Sequence, residues 1–426
     1  MKCAVITLGC KVNQCESESL ARKMENLGHE IVGHNEKADV YIVNTCCVTA
    51  EGERKSRQAV RKARSLNPDA VIAVTGCAAQ RAPEMFERIE GVTVVAGTKD
   101  KGKLPEMILE HTRLTRVYDI KDFSEYEELP DAAAEKTRAF IKSQDGCNNF
   151  CSYCIIPYVR GRERSRSIES IKGESERLKQ KGFKEIVING IHLSAYGKEW
   201  SFKPDLSDAV DAVCKTENIS RVRLGSLEPN IITEDFLEKV TKNENFCRQY
   251  HLSLQSGCDS VLKRMNRKYT TGQYARAVEL IRENYPDSAI STDIIVGFPG
   301  ETEEEFAETL EFTGKIGFAW VHVFPYSVRE GTVAAKMDGQ IEKGEKARRA
   351  AMLSEICREK GREYRQRFVG KTKTVLAENN ENGIQHGLTK EHIGVAFKSP
   401  DIENKIVKVK ITAVTDEGLE GELLEE

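Results

Sequence analysis

The sequence predicts an α/β chain in three parts: a parallel sheet, a partial barrel of six strand–helix units and a small all-β barrel. Three observations carry this. Residues 1–112 alternate short apolar runs with charged, amphipathic stretches. The alternation resumes at residue 137 with a longer period. From residue 369 it gives way to short strand patterns separated by turn residues: TKTVLAE, GVAFK and KIVKVKITAV. At 426 residues the chain has room for two to four domains, each with its own core.

In the first part, 1–115, strands are expected at Ala4–Leu8, Asp39–Val43, Ala70–Thr75 and Val92–Ala96. Helical patterns lie near 17–27, 52–66, 83–89 and 100–111. Apolar strands alternating with helices argue for a parallel sheet covered on both faces. Residues 116–136 include the acidic, aperiodic stretch YDIKDFSEYEELPDAAAE and read as a linker. The second part, 137–368, has strand patterns at 139–143, 185–189, 221–225, 250–254, 289–296 and 320–324, then a charged helix over 342–368. Six such units suit a partial barrel better than a closed eight-fold one. The third part, 369–426, suits a small β-barrel.

Composition narrows the function. Lys and Arg number 64 against 67 Asp and Glu, a formal net of −3. A wholesale polyanion binder would be more basic, so any nucleic-acid contact has to be local. No run of about 18 apolar residues is present, which argues against a membrane span. The opening MKCAVITLGCK lacks a signal-peptide core and reads as a strand. Thirteen cysteines without an export signal point to metal or catalysis rather than disulfides, and to the cytoplasm.

Cys147, Cys151 and Cys154 follow the first barrel strand in DGCNNFCSYC. Three thiolates can hold three irons of a [4Fe–4S] cube and leave the fourth iron open. An open iron can chelate S-adenosylmethionine and reduce it, giving a 5′-deoxyadenosyl radical. The alternative is a zinc site completed by a distant Cys or His, but no second short hairpin of cysteines is in sight.

This Cys-x3-Cys-x2-Cys spacing, with Tyr153 before the last Cys, resembles the signature of radical S-adenosylmethionine enzymes, whose fold is a partial (βα)6 barrel. The resemblance implies Tyr153 near the adenine of the cofactor. It also directs attention to Ser226, Glu228, Gln255 and Gly297 at later strand ends as cofactor contacts. Where many members carry Gly-Gly-Glu, this sequence reads Asn189-Gly190-Ile191-His192, so that role is not carried over.

A second set of cysteines keeps phase with the N-terminal strands: Cys10 in TLGC, Cys46 in VNTC and Cys77 in VTGC. The C-terminal ends of parallel strands share one edge, where such folds bind ligands. Three cysteines far apart in sequence can therefore meet there and hold a second metal cluster; the bland reading is buried structural cysteines.

Two such trios in this order, with a β-barrel behind, resemble the methylthiotransferases over essentially the whole chain. That resemblance implies an N-terminal methylthiotransferase domain, a radical domain and a C-terminal TRAM domain. It also implies two [4Fe–4S] clusters, with S-adenosylmethionine as both methyl donor and radical source. TLGCKVNQCES at 7–17 and HVFPYSVREGTVAAKM at 322–337 look like the group acting on N6-threonylcarbamoyladenosine beside the tRNA anticodon. Isopentenyladenosine in tRNA, or an aspartate of a ribosomal protein, is the nearest alternative substrate. A non-catalytic iron–sulfur RNA-binding protein is the alternative of another class. An electron donor and a sulfur donor are implied partners without identity. Asn44-Thr45-Cys46 matches the family pattern, which makes Cys46 the ligand and Cys47 its small apolar neighbour.

A base in an anticodon loop can be splayed out and read singly. Arg160, Arg162, Arg164 and Arg166 are the expected phosphate contacts beside the radical site, and Arg57, Arg61 and Arg64 share one face of a second basic helix. A solvated face is the plain alternative for both. The terminal barrel has one aromatic, Phe397, so it is expected to grip phosphate rather than stack bases.

Overall fold

The computed structural model describes residues 1–110, 112–123, 125–129, 137–201 and 203–424. Its first part is a six-stranded parallel sheet in the order β2-β1-β3-β4-β5-β6. The strands are β1 (Lys2–Thr7), β2 (Glu30–Val32), β3 (Val40–Thr45), β4 (Val71–Gly76), β5 (Val92–Ala96) and β6 (Leu114–Arg116). Every residue of β3 is buried, as expected of a central strand covered on both faces. The short edge strands β2 and β6 carry too few residues for a readable period and were not anticipated. The helix expected near 83–89 is Pro83–Glu87, and a short helix that was not expected, Cys77–Arg81, precedes it. Pro83 forces the break at Ala82. The first helix, Lys11–Asn26, starts six residues earlier than its apolar pattern because its first turns bury polar residues, Asn13, Glu16 and Ser17.

The barrel strands are β7 (Arg138–Asp145), β8 (Arg164–Ser165), β9 (Glu185–Gly190), β10 (Arg221–Leu224), β11 (Gln249–His251), β12 (Ala289–Val296) and β13 (Trp320–Pro325). They form the sheets β10-β9-β7-β8 and β11-β12-β13, which parallel bridges Val222↔Phe246 and Leu227↔Leu252 join into one incomplete barrel. Only β8 runs antiparallel to its neighbour. The charged helix spans Lys343–Gln366.

The last part is a closed barrel of β14 (Thr372–Glu381), β15 (Ile384–Thr389), β16 (Gly394–Lys398), β17 (Ile406–Val414) and β18 (Leu419–Leu423). Phe397 is buried in its core with Val375, Val395, Val409 and Ile411. Asn404 takes the left-handed backbone (φ 62°) at the turn before β17. The barrel caps the radical domain at the N-terminal ends of its strands. Arg221 donates to the carbonyls of Leu388 (2.7 Å) and Thr374 (2.9 Å), and Arg223 to that of Lys390 (3.1 Å). Arg138 meets Glu378 at 2.6 Å. This is the end opposite the cysteine trios, where such a barrel is held together rather than where it reacts.

The expected linker packs against the domains at Phe123, Tyr126 and Glu127, while Asp119, Lys121, Glu125 and Glu128 are exposed; residues 124 and 130–136 lie outside the described residues. Tyr126 donates to the Lys142 carbonyl (2.6 Å), and Glu127 accepts from the Gly102 amide (2.8 Å). The first two parts also share a core, because Ile155 and Val159, just after the barrel's cysteines, are buried among Cys47, Cys77 and Val74 of the N-terminal sheet. Among the described residues no helix is long and apolar enough to cross a membrane.

Candidate active site

Cys10, Cys46 and Cys77 follow β1, β3 and β4, three adjacent strands of one parallel sheet, so they reach the same edge. Glycines let the chain turn there. Gly9 (φ +100°) and Gly76 (φ +95°) adopt a backbone that L side chains avoid. A Cβ at Gly9 would stand 2.9 Å from the sulfur of Cys46, and one at Gly76 only 2.4 Å from Asn44 Oδ1. Asn13 ties two of the loops together, donating to the carbonyls of Leu8 (2.7 Å) and Thr45 (3.0 Å). Thr45 donates to the Thr75 carbonyl (2.6 Å), which ties in the third.

The thiols act on one another. Burial first, then Cys77 and Cys10, push Cys46 up to about 11. Cys77 is held down to about 6 by a hydrogen bond from the Cys47 thiol, against burial and with help from Arg160 and Lys101. Thiolate is the form that binds iron, and Arg160 Nε donates to the Cys77 sulfur at 3.3 Å. Cys47 is fully buried. Its hydrogen bond with Cys77 and then burial push its thiol up, with Cys77 and Cys46 adding to the rise, whereas Cys77 and Cys10 act on Cys46.

The second trio sits on the loop after β7. Gly146 (φ +73°) opens this loop, and a Cβ there would overlap the Arg162 carbonyl at 1.8 Å. Asn266 donates to the Phe150 carbonyl (2.9 Å) and Ser152 Oγ to that of Arg264 (2.8 Å), so the loop is held from a distant segment. Burial first, then Cys151 and Cys147, push Cys154 up to about 12. Arg267 Nη1 donates to Cys151 Sγ at 3.2 Å, and its Nη2 to Glu228 at 2.8 Å. His192 pairs with Glu163 (3.0 Å) and Glu228 (3.2 Å). Burial opposes charge on His192, but its bonds to Cys147, Glu163 and Glu228 outweigh it and hold the ring up to about 11. Glu228 is held down to about 2 against its burial by His192 and Arg267. Asn149, His192, Ser194, Glu228 and Lys268 line a cavity of about 420 Å³ beside this loop.

Glu228 therefore stands in the polar shell of the trio. Tyr153 is half-buried against the cluster of Cys258, Phe298 and Tyr326, and Ser226 is exposed at the end of β10. Gln255 (φ 72°) joins its backbone to β12, donating to the Asp293 carbonyl at 2.9 Å. Gly297 (φ +68°) donates to Glu301 at 2.7 Å, and a Cβ there would meet Lys346 at 2.5 Å. Asn149, Glu163 and Arg267 were not anticipated. Asn149 lies within the cysteine motif itself, whereas Glu163 and Arg267 come from other segments and carry no motif.

The arginine run needs correction. Arg160 is fully buried, and Arg164 and Arg166 nearly so. Arg164 donates to the Arg160 and Arg162 carbonyls at 2.9 and 2.7 Å, while Arg166 pairs with Glu174 and, at 2.9 Å, with Glu128. A guanidinium already committed inside the fold cannot meet a phosphate. Of the four, Arg162 alone is exposed, its guanidinium 4.9 Å over the ring of Phe150. Arg57, Arg61 and Arg64 line an open groove with Arg88, but Glu84 and Glu90 share it.

The donors fit iron–sulfur clusters: two trios of cysteines, each on one strand-end edge. Among the described residues no three His, Cys, Asp or Glu side chains could hold a single metal ion. Thiolates on a four-iron cube need not crowd so closely, because each binds its own iron. This site on this barrel defines an enzyme of the radical S-adenosylmethionine class.

Comparison with known proteins agrees. Residues 141–313 match the Radical SAM superfamily, and residues 2–97 match the uncharacterized protein family UPF0004. A relative from Bacillus subtilis, named threonylcarbamoyladenosine tRNA methylthiotransferase MtaB, is 40% identical over 95% of this chain and 92% of its own. One from Clostridium botulinum, named tRNA-2-methylthio-N(6)-dimethylallyladenosine synthase, is 36% identical over 98% and 95%. The solved radical S-adenosylmethionine methyltransferase TsrM from Kitasatospora setae shares the fold at 16% identity, with a TM-score of 0.56 over 78% of this chain and 73% of that one. The chain belongs to the radical S-adenosylmethionine tRNA methylthiotransferases. Its cofactors are two [4Fe–4S] clusters and S-adenosylmethionine.

Proposed function

We propose that this enzyme replaces the C2 hydrogen of N6-threonylcarbamoyladenosine, beside the tRNA anticodon, with a methylthio group. The observation that carries the reading is the pairing of two three-cysteine sites, one on each parallel edge, in a chain 40% identical to a relative named for that nucleoside. Cys147, Cys151 and Cys154 would hold the cluster that keeps an iron open for S-adenosylmethionine; Cys10, Cys46 and Cys77 would hold the other. Together the bound groups supply a carbon radical, a sulfur atom and a methyl group. Such chemistry is needed because the C2–H bond offers neither an acidic proton nor a leaving group.

The chain's own residues supply order and charge. Arg267, Glu228 and His192 hold the cysteine loop in one geometry, and Tyr153 would lie near the adenine of the cofactor. Arg162, with the Arg57 and Arg61 face, is the candidate phosphate contact, and a tRNA substrate puts the reaction in the cytoplasm. A reductant and a sulfur donor complete the reaction as outside partners.

Relatives named for the dimethylallyl nucleoside match at 36% over nearly the full length, which keeps that substrate as the second reading. Nucleoside mass spectrometry of tRNA from a deletion strain distinguishes them. Loss of the 2-methylthio form of the threonylcarbamoyl nucleoside is expected. Loss of the dimethylallyl form in its place would overturn the substrate assignment.

A further inference from the structure

Arg160 belongs to the radical domain, six residues after Cys154, yet its Nε donates to the sulfur of Cys77 on the N-terminal sheet at 3.3 Å. It ends the short helix Ile156–Arg160, and Gly161 (φ +72°) turns the chain away immediately after it. The guanidinium is fixed on its other edges by Glu16 (2.8 Å), Asp145 (3.0 Å) and Asn13 (2.7 Å). Lys142 joins the same two carboxylates at 2.8 and 2.6 Å, Lys101 also pairs with Glu16, and Arg164 lies 3.7 Å from Asp145. Four buried cations thus meet the buried carboxylates of Glu16 and Asp145, with Glu127 alone added at the margin near Lys142 and Lys101, so positive charge stays in excess.

A buried surplus of positive charge is costly unless an anion balances it. The sulfur of Cys77 is the group the surplus faces. We infer that Arg160 is a positioning residue for the auxiliary cluster: it holds Cys77 toward the iron and stabilises the more negative, reduced state of that cluster. Hydrogen bonds to cluster sulfurs and nearby charge are the levers by which a protein sets such a potential. The residue also makes the auxiliary site depend on the loop that follows the radical trio, so the two sites are built as one unit.

The inference rests on reading Cys10, Cys46 and Cys77 as ligands of one cluster. The test is an EPR-monitored redox titration of the reconstituted full chain, with the radical cluster recognised by its response to S-adenosylmethionine. Arg160→Met, which removes donor and charge, should shift the auxiliary midpoint to more negative potential and leave the radical midpoint in place. Arg160→Lys keeps the charge among Glu16 and Asp145 and should shift it less, in the same direction. Two loaded clusters with an unchanged auxiliary midpoint in either variant would overturn the inference. So would loss of folding in both, which would make Arg160 a structural ion-pair partner only. A wild-type chain that binds one cluster would instead sink the ligand reading beneath it.

Discussion

Arg267 Nη1 stands 3.2 Å from the sulfur of Cys151, although 116 residues separate them in sequence. Its Nη2 reaches Glu228 at 2.8 Å, so one guanidinium links the cysteine loop to the end of β10. Each trio therefore has an arginine on one of its sulfurs: Arg267 on Cys151, Arg160 on Cys77.

Replacing Arg267 by Leu removes the donor and leaves Glu228 with less compensation. Hydrogen bonds to charged groups contribute roughly 1.5–3 kcal/mol. Loss of that support should lower 5′-deoxyadenosine formation by about ten- to a hundredfold, since about 1.4 kcal/mol is a factor of ten. The assay is anaerobic cofactor cleavage with the iron content measured beside it. Unchanged cleavage at full iron would remove Arg267 from the radical site.

Removing residues 369–426 is predicted to lower the melting temperature of the remaining domains as well as weaken tRNA binding. The terminal barrel is more than an RNA-binding appendage, because Arg221 and Arg223 end on its backbone carbonyls. Truncation exchanges those bonds for water and uncovers Ala289, Ala319, Tyr364 and Phe368, which pack against Val375, Val395 and Val409 of the barrel, and apolar surface returned to water costs about 25 cal/mol per Å². Calorimetry of the two chains under the same salt checks this. An equal melting temperature for the shared domains would reduce the barrel to an RNA-binding module.

Periodicity was enough to read the parallel sheet, the six barrel units and the terminal strands, since apolar burial writes itself into every second or fourth residue. The cysteine trios were readable because they keep phase with strand ends. The charged interior was not. Glu16, Lys101, Lys142, Asp145 and Arg160 look like surface residues one at a time, and only the tertiary fold brings them together. The arginine run was misread for the same reason: its surface charge is matched by carboxylates from other segments, Glu16 and Glu174 among them.

Acid should expose the ion cluster under the barrel. Glu185, facing Arg223 (3.2 Å) and Arg138 (2.5 Å), has its carboxyl held down to about 2 against burial. A depressed carboxyl contributes stability that is complete above the ordinary carboxylate value of 4.5 and is lost as pH falls toward 2. At full strength that amounts to roughly 3 kcal/mol. Glu185→Gln should therefore be less stable than the parent at pH 7, and the gap should close between about pH 4.5 and 2. Denaturant unfolding at several pH values measures it. A gap that stays constant with pH would show that Glu185 carries no shifted proton.

The pair Cys46-Cys47 offers two thiols where a cluster corner takes one. Successive side chains at the end of a strand point to opposite sides, and the structure separates the two accordingly. Cys46 packs against Gly9 and Gly52 on the edge that Cys10 shares, with Gly52 close enough that a Cβ there would stand 3.4 Å from its sulfur. Cys47 is turned into the apolar core with Tyr41, Val43 and Val74. From there it acts on Cys77 chiefly by holding that thiol's pKa down. Cys46→Ala should lose one cluster, about half the iron of a chain with two four-iron cubes. It should still cleave S-adenosylmethionine and fail to methylthiolate tRNA. Cys47→Ala should keep both clusters. Its effect is confined to the influence of that thiol on Cys77, and a thiol is a weak donor, so tRNA methylthiolation should fall by no more than a few-fold. Iron counting and tRNA nucleoside analysis on the two variants decide it. Should Cys47→Ala be the variant that loses half the iron, the ligand is Cys47 and the loop after β3 is one residue out of register.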